Sequence, residues 1–195
     1  MLNYNCIIKE DHSDIRKFSE DVKLPLSKED EDILLSMNEY LELGYDPEAV
    51  EKYDIRPGVG LAAPQINVLK NMFVICAYDE EDTLFHFGVI NPKIISHSEE
   101  LTYLPMGEGC LSVTEENKGL VHRAKRIKVK FDLYDFESKE ITSVTAKFKN
   151  YIAIVFQHEY DHLFGKLFID RINKENPMHV PLNSSPIVFN EIEND

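Results

Sequence analysis

Tryptophan is absent from the 195 residues, cysteine occurs three times, and no apolar run approaches the ~20 residues needed to cross a bilayer. Each shortage removes a class of protein. Cys6, Cys76 and Cys110 are too few and too scattered for a disulfide framework, so a cysteine with a role acts as a thiol and a reducing compartment fits. Residues 1–5 lack the basic and apolar regions of a secretory leader, and a cytoplasmic location is expected. Positive charge is also scarce: 21 Lys and Arg face 35 Asp and Glu, and the net charge of −14 opposes nucleic-acid phosphates while favouring solubility. The one basic cluster, Lys125, Arg126, Lys128 and Lys130, alternates with Ile127, Val129 and Phe131. It reads as the solvent face of a strand, so neither direct nucleic-acid binding nor membrane association is expected. No repeat, low-complexity block or linker divides the chain, and its length suits a single domain over residues 1–195, with 173–195 as an irregular acidic tail.

What is present is concentrated in Gln157-His158-Glu159-Tyr160-Asp161-His162. Residues four apart share a helix face, so His158 and His162 can chelate one metal ion while Glu159 sits beside them as a proton carrier. Such a match also arises by chance, and the surroundings argue against that here. Residues 151–156 are almost continuously apolar, Asn150 can cap the start and Gly165 can stop the end. A helix apolar all round is buried. Tyr151, Ile154, Val155 and His158 follow i, i+3, i+4, i+7 spacing, so the face that reaches a metal begins as an apolar pocket wall. The motif alone lacks a third ligand.

Elsewhere Ser27 opens a helix over residues 27–43, with Ile33, Leu34, Met37, Tyr40 and Leu41 on one face and Gly44 at its end. Asp46-Pro47 starts a second, shorter one. β patterning covers residues 72–78, 84–90, 93–96, 100–103, 126–134 and 141–148, with Asn91-Pro92 separating the second and third. The expected fold class is α+β: short antiparallel sheets packed around the central HExxH helix, with N-terminal scaffold helices. Pro57-Gly58-Val59-Gly60-Leu61-Ala62-Ala63-Pro64-Gln65 allows close approach of a ligand to the backbone, or forms a tight connecting loop. It matches neither a phosphate loop nor a dinucleotide fingerprint.

Cys110, in Gly107-Glu108-Gly109-Cys110-Leu111-Ser112, is either a buried small hydrophobe or a thiolate ligand. Beside an HExxH pair the ligand role gains weight, because His₂Cys leaves a fourth tetrahedral position for water. Cys76, in an apolar strand run, and Cys6, in an unpatterned N-terminus, are poorer choices.

Taken in order, Gly58-Val59-Gly60-Leu61-Ala62-Ala63-Pro64-Gln65, Glu108-Gly109-Cys110-Leu111-Ser112 and Gln157-His158-Glu159-Tyr160-Asp161-His162 closely resemble the motifs of the peptide deformylases. These metal-dependent hydrolases remove the formyl group from the N-terminal methionine of new proteins. The resemblance covers residues 56–170 and extends to the N-terminal helices; segments 45–56 and 103–107 are similar to the longer subclass of Gram-positive and related bacteria. Residues from 173 onward do not suit the long C-terminal helix of the shorter subclass.

The resemblance implies that Cys110, His158 and His162 hold the metal, that Glu159 is the acid/base, and that Gln65 and the Leu111 backbone N–H stabilise the oxyanion. It implies Fe²⁺, although this ligand set also accepts Zn²⁺, Ni²⁺ or Co²⁺. The partner would be an N-formylmethionyl nascent peptide, extended beside Val59 and Gly60 with its methionine against Tyr151, Ile154 and Val155, and a transient ribosome contact would follow. Two rivals stand beside it. One is an HExxH peptidase with a downstream ligand such as His179; the other is a metal-stabilised binding module without catalysis. Gln157 either supports a ligand from behind or packs the helix, Asp161 either orients a ligand or forms a surface pair, and Glu108 and Arg123 are candidates for a buried ion pair.

Overall fold

Ser27 begins the first long helix: its Oγ accepts the Asp30 N–H at 3.1 Å, and three acids in the first turn suit the positive end of the helix dipole. This helix, α1 (Lys28–Leu43), buries Leu34, Met37, Tyr40 and Leu41 on one face. Asp46 caps α2 (Pro47–Tyr53) through the Glu48 N–H, with Pro47 in the first turn where its missing N–H costs nothing. The structure, a computed structural model, describes residues 1–114 and 119–189.

Five strands form the main sheet, in the order β1-β2-β3-β6-β7: β1 (Gly60–Ala62), β2 (Met72–Tyr78), β3 (Leu84–His97), β6 (Arg126–Tyr134) and β7 (Ile141–Lys149). Every neighbouring pair is antiparallel. A smaller sheet joins β5 (Arg123–Ala124), β4 (Leu101–Tyr103) and β8 (Ser184–Pro186), in that order.

The main sheet is covered on its two faces by different helices. Phe73, Ile75 and Ala77 of β2, with Val129 and Phe131 of β6, pack against Ile152, Val155 and Phe156 of α3 (Asn150–His162). The alternate residues of β2, Met72, Val74 and Cys76, pack against Leu34, Met37 and Leu41 of α1. This explains why β2 is buried from Met72 to Ala77 without alternation, whereas Arg126 to Phe131 of β6 alternate between exposed and buried. α1 reaches over β2 and the near end of β3 but not over that stretch of β6.

The α+β class, the central α3 and the scaffold helices agree with the sequence. Four local expectations need correction. Asn150 does not cap α3; it is the first helical residue, at φ 52°, and Lys149 precedes it in extended conformation. Asn tolerates this left-handed conformation, which turns the chain from β7 directly into the helix. The strands expected at 84–90 and 93–96 are one strand, β3, whose register with β6 shifts around Asn91-Pro92 and again before Ser96. The C-terminal segment is not wholly irregular, since β8 pairs in parallel with β4. The tail's acidic end, residues 190–195, lies outside the described residues. Finally, α3 ends at His162, short of Gly165; that glycine takes φ 65°, and a Cβ there would lie 2.2 Å from the Arg16 carbonyl oxygen.

Phe156 joins the sheet to α3, its ring centroid 5.1 Å from that of Phe73 and 5.4 Å from that of Phe148. Phe156→Ala should lower unfolding free energy by about 3–5 kcal/mol in urea titrations. Phe164→Ala, at a ring 38% exposed, should cost well under half of that.

Candidate active site

After Asn150 and Tyr151, α3 is apolar and buried through its middle, and its remaining polar groups fall in its last two turns. Cys110 Sγ lies 3.5 Å from His162 Nε2, and single ligand atoms of Cys110, His158 and His162 all fall within 4.8 Å of one another. A tetrahedral ion with bonds of 2.0–2.3 Å separates its ligand atoms by about 3.5 Å, so a thiolate and two imidazoles fit a divalent cation here. Among the described residues this is the one such convergence. Cys76 is buried in the α1-side core and Cys6 is exposed, away from the cluster. His179, the ligand a peptidase would need, is exposed and is not part of the cluster; its backbone carbonyl accepts from His122 Nε2 at 2.8 Å.

His158 is held from behind. Its Nδ1 meets Glu108 Oε2 at 2.8 Å, which turns Nε2 towards the cluster. Glu108 in turn accepts two bonds from Arg123, at 2.6 and 2.9 Å, with both side chains at 3% exposure or less. Arg123 also donates to Asp161 Oδ2 at 2.8 Å, and Asp161 is clasped by Arg171 Nε and Nη2, each at 2.5 Å. Asp161 is therefore no surface pair: it closes a chain of two carboxylates and two guanidinium groups beneath the helix. Gln157 packs the helix, its amide donating to the Ala124 and Ala153 carbonyls at 2.9 and 2.8 Å and accepting the Ala124 N–H at 3.2 Å.

The electrostatics follow from burial and these partners. Burial would raise the Glu108 carboxyl, but the Arg123 charge and hydrogen bonds hold it down at about 2. Burial opposes charge on His158, yet the Cys110 sulfur and the Glu108 carboxylate raise it well above the usual histidine value. An environment that favours a proton on this ring also favours a dication at its free nitrogen. Burial, reinforced by positive charge on His158 and Arg123, pushes His162 well below that value, which keeps the ring neutral as a ligand must be.

Glu159 is set apart from this chain. It is 4% exposed, its Oε2 is buried without a hydrogen-bond partner, and burial pushes its carboxyl up to about 7. The carboxyl occupies the space a side chain at residue 60 would need, since a Cβ on Gly60 would lie 2.4 Å from Glu159 Oε1. The glycine-rich stretch is thus more than a connection: β1 runs past the catalytic-type carboxylate at contact distance.

Gln65 closes the other side. Its Oε1 accepts the Ala62 N–H at 2.8 Å, leaving Nε2 aimed at Cys110 Sγ (3.5 Å) and Ser112 Oγ (3.3 Å). Lys9 Nζ donates to the Leu111 carbonyl at 3.1 Å and anchors that backbone. A cavity of ≈ 280 Å³ opens between these parts, lined by the site candidates Val59, Gly60, Gln65, Cys110, Leu111, Tyr151, Ile154, Val155, His158 and Glu159, while His162 lies fully buried behind them. Arg56 and Leu104 also line it, and sequence reasoning missed both. Arg56 stands next to the glycine-rich stretch and Leu104 just before the cysteine loop, but neither carries a pattern of its own.

The family described as polypeptide deformylase matches residues 5–178. Peptide deformylase 2 of Geobacillus stearothermophilus is 48% identical over 187 residues, covering 96% of this chain and 99% of its own. Peptide deformylase 2 of Bacillus subtilis is 44% identical over the same length and coverage. Among solved structures, an actinonin-bound class I type b peptide deformylase from Acinetobacter baumannii is 27% identical with a TM-score of 0.65, over 86% of this chain and 97% of that one.

The contact between Gly60 and Glu159 can be tested directly. Gly60→Ala must displace the carboxyl by an ångström or more, and should cut formate release from a formylated peptide on the order of 10²-fold while metal content stays at the wild-type level. Gly109→Ala, where an added Cβ meets nothing within 4 Å, should leave the rate within about twofold.

Proposed function

Because the chain belongs to the polypeptide deformylase family, it is a hydrolase that removes the N-formyl group from nascent peptides, and we propose how its own residues divide that work. The observation that carries the assignment is the unpartnered Glu159 carboxyl, buried against Gly60 and facing a cavity bounded by Gln65 and the Cys110, His158 and His162 cluster.

Cys110, His158 and His162 would hold the divalent cation, which would supply Lewis acidity for the hydrolysis when bound. Glu159, poised near neutrality, takes the proton of the attacking water and returns it to the amine nitrogen as the C–N bond breaks, leaving formate and a free N-terminus. Gln65 Nε2 and the Leu111 backbone N–H donate to the oxygen on which negative charge develops, each contributing a few kcal/mol, on the order found for such donors. β1 is an edge strand of the main sheet, so the peptide lies extended beside Val59 and Gly60 and adds to it. Tyr151, Ile154 and Val155 form the apolar wall for the methionine side chain. Glu108, Arg123 and Asp161 orient His158 and stiffen the loop that carries Cys110.

The resident ion in this proposal is Fe²⁺, with Zn²⁺, Ni²⁺ or Co²⁺ as substitutes that the same donor set accepts. We place the enzyme in the cytoplasm as a single domain over residues 1–195, in transient contact with the ribosome that presents its substrate. No helix among the described residues is long and apolar enough to cross a membrane.

Three measurements check these assignments. Cys110→Ser should lose bound metal and activity together, whereas Cys76→Ser should keep both. Metal analysis of anaerobically purified protein should return iron close to one per chain. Glu159→Gln should retain that metal but lower kcat by roughly 10²-fold or more. A wild-type rate in this variant would show that the carboxylate moves no proton, and loss of metal would make it a ligand.

A further inference from the structure

The outer face of the main sheet has an uncovered half. α1 covers it over β2 and the near end of β3, as far as Tyr134 at the end of β6. Beyond that point, strand register sets cations directly opposite cations: Arg126 faces Lys149, Lys128 faces Lys147, and Lys93 faces Lys130. All six side chains are exposed. Arg126 pairs with Glu100 and Lys149 with Glu81, but Lys93, Lys128, Lys130 and Lys147 make no ion pair among the described residues.

Like charges directly opposite on adjacent strands destabilise a sheet, and three such rungs occur in a chain whose net charge is −14. Guarding a sheet edge with lysine explains only β7, since β6 and β3 are interior strands. From sequence alone the β6 cations form a single solvent row. Register turns that row into a two-dimensional field, lying on the sheet face opposite α3 and leaving the β1 edge open.

We propose that this face docks on the phosphate backbone of ribosomal RNA. The substrate is a peptide still attached to an RNA-rich particle, and the field supplies the charge complementary to it on a molecule that RNA otherwise repels. The proposal rests on the ribosome contact above and names its surface. Docking through the outer face holds the catalytic cleft, on the other side of the sheet, free to receive the chain.

The test is co-sedimentation of the full-length, metal-loaded protein with purified ribosomes. Four phosphate contacts should lower affinity on the order of 10²-fold between 50 and 200 mM salt. In the Lys128→Glu/Lys130→Glu variant each new carboxylate faces a lysine across the strands, so the melting temperature should hold or rise. Its ribosome affinity should fall at least tenfold, with a salt slope shallower by about 2, while turnover of a formyl-methionyl tripeptide is unchanged. A variant that sediments like wild type would overturn this surface alone. Wild-type protein that fails to sediment at 50 mM salt would overturn the ribosome contact as well. Stronger binding to phosphatidylglycerol vesicles than to ribosomes would replace RNA by a membrane.

Discussion

Two carboxylates and two guanidinium groups buried or half-buried beneath α3 must neutralise one another, and the geometry of the site descends from that requirement. Glu108 lies two residues before Cys110, and Asp161 lies next to His162. Joining both to Arg123 therefore joins the cysteine loop to the histidine helix. Removing one member would strand an uncompensated charge in the interior, so the loop and helix keep their separation as a unit. His158 inherits its ring orientation from the same chain, through Glu108. The cluster is preorganised by ion pairs formed outside the three ligand-type side chains.

Much of this was legible because covalent spacing encodes it. The histidines of α3 are four residues apart, and the helix brings them together whatever surrounds it. Ser27 and Asp46 act on backbone N–H groups three and two residues away, Pro47 acts through its own fixed φ, and the structure places α1 and α2 where those residues point. What sequence left open was decided by contacts between distant segments. Gln157 satisfies the backbone of Ala124, 33 residues away, and so packs the helix. Asp161 meets Arg123 and Arg171 from two separate elements, and neither pairing leaves a periodic trace. The pairing of β8 with β4 spans more than 80 residues and shows in no local pattern.

The two faces of the main sheet follow different rules. On the α3 side, Phe73, Phe131, Phe148 and Phe156 form a continuous aromatic layer, which gives the catalytic helix a stiff floor. On the α1 side, cover ends partway across, and the remaining strands answer to solvent and to whatever approaches from it. One alternating strand, β6, serves both environments with successive residues.

β1 is only three residues long before Pro64 and the turn that follows. At ~3.3 Å per residue, a strand added to it is recognised over roughly 10 Å of chain. In the binding mode proposed above, residues further along the polypeptide would make no strand pairing with β1. In that mode an edge this short would confine recognition to the first few residues of a polypeptide, whatever protein follows them.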